Sequence, residues 1–322
     1  MDKRRILVIA GSDSSGGAGL EADQKVIAAH LCYAMTATTA LTAQNTQGVL
    51  GIHYVPSDFV AKQIDACISD IGVDVVKVGM LASADTADAV ADALKHHGEP
   101  ITVVDPVMVS TSGAQLLPNE AVFNLRTRLL PLTTILTPNI PEARLLLQNA
   151  GVDVSNVETI DDIVSIAKAL HKLGPRFVLV KGGHQPLTKE WKVSQSEADR
   201  HSVVDILYDG DQIIWPARIA MEQAALLLVS IKLDIVTLRL TGSTAAIACG
   251  IALSNQPDRT NEIPKAVEKA CQYVEAGISM STKIGHGNGP INHSHSLMVR
   301  PPPSFISSLQ RSIYQGTFSS EP

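Results

Sequence analysis

The clearest indication of the fold is ILVIAGSDSSGGAG, residues 6–19, where an aliphatic run is followed directly by glycines and serines. A short uncharged aliphatic run is typical of a strand covered on both faces of a parallel sheet. The glycines that follow allow backbone N–H groups to approach a ligand closely. Their spacing is neither that of a Walker A loop nor that of a dinucleotide-binding loop. A turn into a helix capped by Asp or Ser explains the same letters equally well.

Along the rest of the chain, short apolar runs alternate with longer amphipathic ones. Strands are predicted at 6–10, 73–78, 101–104, 134–136 and 177–180, and helices at 57–69, 83–96, 119–129, 140–149 and 160–173. This alternation predicts right-handed βαβ crossovers in an α/β fold, with three layers (α/β/α) around a mostly parallel central sheet. An Asp-Gly hairpin over 203–215 interrupts the rhythm, and the polar tract 188–202 is predicted to be a surface loop.

Composition narrows the class of protein. The 322 residues are 45% hydrophobic with a net charge of -6, so the chain lacks the basic footprint of nucleic-acid binding. No run approaches the length of a membrane span or a signal segment. Four scattered cysteines, with no CxxC spacing, indicate reduced thiols of a cytosolic protein (Cys32, Cys67, Cys249 and Cys271).

Polar side chains follow several predicted strands. Asp105 ends one strand, Asn139 and Glu142 follow the next, and Lys181 ends a third. Ligands of open α/β sheets bind beyond the carboxyl ends of the strands, where these groups would meet. Asn139 also precedes a proline at a helix start, so helix capping competes with phosphate or metal binding. Met80, after another strand, either lines the crevice or is simple core.

Gln44 lies in the polar segment 42–48. Its planar amide carries donors and acceptors that match the edge of an aminopyrimidine. On the residues alone, a plain polar loop is the competing interpretation.

These phrases, in order, resemble the hydroxymethylpyrimidine/phosphomethylpyrimidine kinases of thiamine biosynthesis, within the ribokinase-like fold. The matching phrases are GSDSSGGAG, LEADQK, ALTAQNTQGV, VVKVGML, VVDPVM, LTPNIPEA, VKGGH and IGHGNGPINHSH. The resemblance implies ATP and Mg²⁺ as cofactors, a small-molecule pyrimidine as substrate, and a homodimer. It implies transfer of the γ-phosphoryl of ATP to 4-amino-5-hydroxymethyl-2-methylpyrimidine and then to its monophosphate.

The resemblance also implies roles for individual residues. Those expected to surround the pyrimidine are Gly11, Ala18, Asp23, Gln44, Met80 and Val107. Asp105 and Glu142 would serve Mg²⁺, partly through water, while Asn139 and Lys181 would reach the ATP phosphates. The three histidines His286, His293 and His295 resemble a metal cluster on spacing, but the family match favours a structural C-terminal segment.

One departure from the family is large. The family carries His-Gly-Thr-Gly-Cys at the start of a helix, where backbone N–H groups form an anion hole and the Cys is the candidate general base. Here residues 221–243 read MEQAALLLVSIKLDIVTLRLTGS. The closest surviving letters leave Gly242 and Ser243 as the candidate catalytic residues, with Leu240 where a glycine belongs. Since an unassisted Ser is a poor base, phosphoryl transfer by this chain is expected to be severely reduced.

Two explanations of this segment stay open. Residues 221–228 can be encoded so that a one-base shift reads His-Gly-Thr-Gly-Cys-Ser-Leu-Ala, and 229–230 can be written as an intron donor; a translated intron is one hypothesis. The other is a genuine divergent insertion. The alternatives for function are a pyridoxine/pyridoxal kinase, whose relatives carry Asp in place of the Cys, and a non-catalytic pyrimidine-binding homologue.

The predicted domain organisation is simple. Residues 1–298 form a single kinase domain with an anomalous insert at 221–242, and residues 299–322 form a flexible Pro- and Ser-rich tail.

Overall fold

A computed structural model describes residues 3–108, 117–154, 156–183, 185–214, 218–220, 242–287 and 289–297. Most of the predicted insert and all of the predicted tail lie outside the described residues. The predicted interruption of the domain at 221–242 therefore stays a prediction.

An eight-stranded sheet forms the centre of the molecule. Its strands are β1 (Arg5–Ala10), β2 (Tyr33–Thr38), β5 (Val75–Val78), β6 (Thr102–Val104), β7 (Ile135–Leu136), β8 (Phe177–Val180), β10 (Ile206–Tyr208) and β11 (Ile213–Ile214). They lie side by side in the order β11-β10-β8-β7-β6-β5-β1-β2. The six strands from β2 to β8 in this order pair in parallel, whereas β10 pairs antiparallel with both β8 and β11. The predicted mostly parallel α/β sheet is confirmed.

Helices cover both faces of the sheet. They are α1 (Gly19–Ala29), α2 (Ser57–Asp70), α3 (Ala84–His96), α4 (Asn119–Asn124), α5 (Ile140–Asn149), α6 (Ile160–His171), α7 (Ser243–Ala252) and α8 (Ile263–Ser279). The prediction of one helix over 119–129 is correct in extent, although 125–129 continues α4 as a π-helical turn.

Alternation along each strand explains the three layers. In β1, Leu7 and Ile9 join the core beneath α2 to α6, whereas Ile6 and Val8 join the core beneath α1, α7 and α8. All four side chains are fully buried. Because both faces are covered, the strands read as continuous aliphatic runs, and this is why β1 and β8 could be predicted almost to the residue.

Two hairpins differ from the expectations. The segment 42–48 belongs to a hairpin of β3 (Ala40–Asn45) and β4 (Gly48–Tyr54), so it is not a plain polar loop. The turn at Asp209 joins β10 to β11 as predicted. The predicted hairpin over 203–215 is shorter than expected: Asp205 separates β9 (Ser202–Val204) from β10, and β9 pairs with β12 (Arg218–Ala220) instead. The carboxylate of Asp205 accepts the Gly182 N–H, which draws the chain away from the ladder.

Two general expectations concern cysteines and membranes. Each of the four cysteines is free. Among the described residues, no helix combines the length and the apolar character needed to cross a membrane.

Candidate active site

The glycine-rich loop after β1 is shaped by one buried carboxylate. Asp13 Oδ1 accepts hydrogen bonds from the N–H and hydroxyl of Ser15, and Oδ2 accepts from the N–H groups of Gly17 and Ala18. Ala18, a predicted substrate-binding residue, is the N-cap of α1 and makes no side-chain cap. The interpretation of these letters as an Asp-organised turn into a helix is therefore correct, and it leaves a ligand role for the loop open.

The same loop is fastened to α1 and to the β3–β4 hairpin. Glu21 accepts from the Ser12 hydroxyl and from the Asp13 N–H, at 2.7 and 2.6 Å. Ser14 exchanges two hydrogen bonds with the backbone of Gln44. Thr42 Oγ1 donates to the Ser12 carbonyl at 2.8 Å and lies 3.3 Å from the side-chain oxygen of Gln44, the residue predicted to read the pyrimidine.

Three of the predicted pyrimidine contacts lie together. Met80 forms a small apolar cluster with Ala40 and Ala82, and Val107 packs against that cluster. A Cβ added to Gly11 would lie 2.3 Å from Met80 Cε, so the thioether rests directly on the glycine backbone. Only glycine permits this close approach, because any side chain there would displace Met80.

Asp23 forms a buried ion pair with Lys77. Its carboxylate accepts from Lys77 Nζ at 2.6 Å, and both residues are buried. Burial raises the pKa of Asp23, Lys77 lowers it, and the negative charge of Asp105 raises it again. The primary partner of this carboxylate is thus the lysine at the middle of β5, and a pyrimidine contact for Asp23 stays a prediction.

Asn139 and Glu142 begin α5. The Asn139 side-chain oxygen accepts the Glu142 N–H at 2.8 Å, and Glu142 Oε2 accepts the Asn139 N–H at 2.9 Å, which is a capping box. The capping alternative for Asn139 is therefore confirmed. Burial, followed by the charge of Asp105, raises the pKa of Glu142 to about 8.

Asp105 lies at the centre of the polar cluster. Its Oδ1 accepts from Lys181 Nζ at 2.8 Å and its Oδ2 accepts from Thr244 Oγ1 at 3.0 Å. Asn139 and Lys181 are adjacent through a parallel bridge that extends β7 and β8. The carboxyl ends of β6, β7 and β8 thus bring together all four residues that were predicted for the nucleotide and metal (Asp105, Asn139, Glu142 and Lys181).

The two candidate catalytic residues lie at the start of α7. Gly242 is the N-cap with φ of 84°, a left-handed conformation that favours glycine, and Ser243 is the first helical residue. Ser243 and Lys181 line one small pocket, which continues between α7 and α8 past Asp205 and Cys271. Because the first backbone N–H groups of a helix have no intrahelical acceptor, this end of α7 favours an anion beside Lys181.

This chain resembles known proteins in both sequence and fold. Residues 13–292 match the model of a family described as phosphomethylpyrimidine kinase. This chain belongs to the phosphomethylpyrimidine kinase family. The match covers every predicted site residue except Gly11, and it spans the described C-terminal helices.

Individual relatives agree with the family. The chain is 42% identical over 291 residues to a thiamine biosynthesis bifunctional protein of Geobacter sulfurreducens, covering 89% of this chain and 52% of that protein. It thus spans about half the length of that relative. The crystal structure of phosphomethylpyrimidine kinase from Clostridium difficile is similar with a TM-score of 0.65 and 34% identity, over 86% of this chain and 100% of the other.

A pyridoxal kinase is similar as well. The ADP complex of the Bacillus subtilis enzyme has a TM-score of 0.71 and 28% identity, over 91% of this chain and 98% of the other. Together these solved structures confirm the ribokinase-like fold that the resemblance implied.

Several partners of the predicted site residues were not identified from the sequence. Thr244 contacts Asp105 across 139 positions of the chain, Lys77 pairs with Asp23, and Asp13 and Glu21 hold the glycine-rich loop. A signal existed for Asp13 alone, since an Asp before serines and glycines favours side-chain-to-backbone turns. The other three depend on which elements pack together.

The three C-terminal histidines do not form a metal group within the described residues. His293 is buried, and burial lowers its pKa to about 4. The Tyr273 hydroxyl donates to the His293 carbonyl, and the Tyr273 ring lies 4.6 Å from that of His295. This segment packs on α8, as the structural alternative predicted.

Proposed function

We propose that this chain transfers the γ-phosphoryl group of ATP to 4-amino-5-hydroxymethyl-2-methylpyrimidine and then to its monophosphate, in thiamine biosynthesis. The observation that carries the proposal is the meeting of Asp105, Lys181 and the first turn of α7 at one point beyond the sheet. The apolar cluster around Met80 lies directly after β5, the strand that pairs with β6 in the sheet. A phosphate site at the end of one strand and an apolar cluster at the end of its neighbour suit such a transfer.

The pyrimidine side of the site is assigned to the glycine-rich loop and the hairpin. Gly11, Met80 and Val107 pack together, and we assign this apolar group to contact the face of the heteroaromatic ring. Gln44, whose backbone is bound on both sides by Ser14, offers amide groups to the ring edge. The N–H of Ala18 is held by Asp13, so Ala18 contributes shape rather than a free donor.

The phosphate side relies on Lys181 and on α7. The ammonium of Lys181 lies against Asp105, from which it can turn towards an incoming phosphate. The N–H groups of Gly242 and Ser243 would hold the transferred phosphoryl oxygen. Asn139, whose side-chain oxygen is used by the cap, would contribute its amide group to the phosphates.

The residues present fit Mg²⁺. Asp105 and Glu142 are hard oxygen donors, and the charge of the first raises the pKa of the second. A divalent cation would relieve this repulsion, so Asp105 and Glu142 are assigned to hold it, partly through water. When bound, the ion supplies charge neutralisation at the phosphates.

The missing Cys limits the rate. Ser243 occupies the first position of α7, and its hydroxyl is a far weaker acid and base at neutral pH than the Cys of the family motif. Deprotonation of the substrate hydroxyl thus lacks the family's general base, and turnover by this chain is expected to be severely reduced. A non-catalytic pyrimidine-binding protein is the second candidate, because Gly11, Met80 and Val107 lie together while the Cys of the family motif is absent.

One experiment separates these functions. The triple variant R239H/L240G/S243C rebuilds His-Gly-Thr-Gly-Cys at 239–243, and it is assayed with ATP, Mg²⁺ and either the hydroxymethylpyrimidine or pyridoxal. Under the kinase proposal, the variant gains turnover on the pyrimidine while its pyrimidine Kd stays near that of the parent. Tight pyrimidine binding without turnover in both proteins would favour the binding role, and a preference for pyridoxal would refute the substrate assignment.

We also propose a homodimer. Exposed apolar side chains on the β3–β4 hairpin support it, since Leu41, Leu50 and Tyr54 are 50%, 79% and 56% exposed. The molar mass in solution, measured by light scattering, tests this assignment, with Leu50→Lys as the disrupting variant. A monomeric parent protein would refute it.

A further inference from the structure

Three metal-ligating side chains meet far from the kinase site. His96 at the end of α3, His97 just after it and Asp65 on α2 place one ligand atom each within 4.8 Å of one another. His97 Nε2 lies 3.2 Å from Asp65 Oδ1, and the two imidazole rings are perpendicular with centroids 5.0 Å apart. We propose that these three residues form a binding site for a divalent cation of the zinc class, which joins α2 to the C-terminus of α3.

One edge of the group already has the length found in a zinc site. With bonds of about 2.0–2.1 Å in a tetrahedron, two ligand atoms lie about 3.4 Å apart. The His97–Asp65 edge already has this length. Closing the remaining edges requires rotation of His96 and Asp65, which are exposed and free to move, whereas the His97 side chain is only 12% exposed and is fixed in place.

The lysine and arginine side chains described next are paired with carboxylates other than that of Asp65. Lys62, one turn earlier on α2, is bound by Asp58 at 2.9 Å. One turn before His96, the carboxylate of Asp92 is bound by Arg128 at 2.6 Å. Among the described residues, the ion pairs of Asp65 include no lysine or arginine partner. A cation arriving at Asp65 thus competes with no lysine or arginine among these pairs, and His97 already faces the carboxylate.

The end of a helix adds to the attraction. α3 ends at His96, and the carbonyl groups of its last turn carry partial negative charge that favours a cation. Two imidazoles with one carboxylate suit zinc, cobalt, nickel and copper, whereas Mg²⁺ prefers sites made of oxygen donors. The site is therefore expected to discriminate against the ion that serves the nucleotide.

Distance separates this site from the reaction. The N-cap of α3 is Ser83, directly after the Met80 cluster, and the helix runs 13 residues away from it. At the rise of an α-helix, His96 lies about 20 Å from that end. The ion would thus fasten the outer ends of α2 and α3 without touching substrate, nucleotide or the residues assigned to them.

The test is a titration of the full chain, freed of any polyhistidine tag, with ZnCl₂ in the absence of ATP. We expect one zinc per chain, a rise in Tm with zinc concentration, and no response to MgCl₂. The variants Asp65→Asn and His96→Asn each remove one ligand and should weaken zinc binding by about tenfold or more. The control His53→Asn removes an exposed histidine from β4 and should bind zinc like the parent.

Cobalt provides a direct readout of the ligands. Co²⁺ at the same site should give the visible absorption of a tetrahedral ion, absent in Asp65→Asn and retained in His53→Asn. Zinc binding that is unchanged in both Asp65→Asn and His96→Asn, or no binding by the parent chain, would overturn the proposal. Because no step uses kinase turnover, either result is independent of the proposed function.

Discussion

The buried pair of Lys77 and Asp23 offers a sharp test of how this site is built. Their side chains are 7% and 5% exposed and their charged atoms are 2.6 Å apart. Lys77→Met keeps the length of the side chain but leaves the Asp23 carboxylate buried without its cation. Breaking a buried pair in this way costs about 3–5 kcal/mol of the free energy of unfolding. We expect Lys77→Met to lose an amount in this range.

A second variant separates charge from packing. In Asp23→Leu combined with Lys77→Met, no charge is left buried, and replacing a buried pair by apolar side chains is often neutral or stabilising. We expect the double variant to regain most of the stability lost by Lys77→Met alone. As a surface control, Lys62→Met breaks the exposed pair with Asp58, where both side chains are 70% exposed, and should leave the unfolding midpoint near that of the parent.

The pH dependence gives an independent check. Lys77 lowers the pKa of Asp23, so its removal raises that pKa further above the unfolded value of 3.8. A buried acid with a raised pKa is protonated in the folded state, and its contribution to stability is lost as pH rises from the unfolded to the folded pKa. The deficit of Lys77→Met should therefore be smaller near pH 5 than near pH 8.

The assay is urea unfolding of the four proteins at several pH values. Equal losses in Lys77→Met and Lys62→Met would refute the reasoning, as would a double variant no more stable than Lys77→Met. Pyrimidine binding by the double variant then decides whether Asp23 also contacts the substrate, because its fold is retained while its carboxylate is gone.

Other variants test the remaining polar cluster and the loop. Without Mg²⁺, the parent is expected to lose stability as pH rises from 4.5 towards 8, and Glu142→Gln should reduce this loss. Urea unfolding measures the pH dependence, and an unchanged slope would exclude Glu142 as its source. Thr244→Val removes the hydroxyl that donates to Asp105 and should cost about 1–3 kcal/mol of stability, with Thr244→Ser as the conservative control; equal stabilities would contradict the contact. Gly19→Ala, at φ of 57°, would bring a methyl group to 2.4 Å from the Gly11 carbonyl; a marked drop in Tm is expected, and a Tm equal to that of the parent would disprove the clash.

The central sheet was largely predictable because its strands are buried on both faces. Phe177–Val180 and Ile140–Asn149 were predicted to the residue, the first from an aliphatic run and the second from Asn139 before a proline. β2 was missed because Tyr33–Thr38 mixes alanines with threonines, and its apolar-polar alternation is limited to the two buried residues Met35 and Ala37. It joins the sheet only through its parallel pairing with β1.

Pairs between distant side chains were beyond the sequence. The partners of Asp23 and Asp105 are 54 and 76 positions away, and each contact depends on strand order and register. The resemblance placed Asp23 beside the pyrimidine, whereas the fold gives its carboxylate a lysine first. The residue types indicated which polar side chains belong to the site, but the pairing of those side chains depends on how the strands and helices pack.

The carboxylate of Asp13 has a consequence for the speed of ligand capture. It satisfies three backbone N–H groups of the loop before any ligand arrives, while Glu21 holds a fourth. A loop that is already ordered loses little conformational entropy on association, so affinity is not diminished by a folding step. Encounter between the pyrimidine and the loop should then proceed in a single phase whose observed rate rises linearly with ligand concentration, as expected for a rigid receptor.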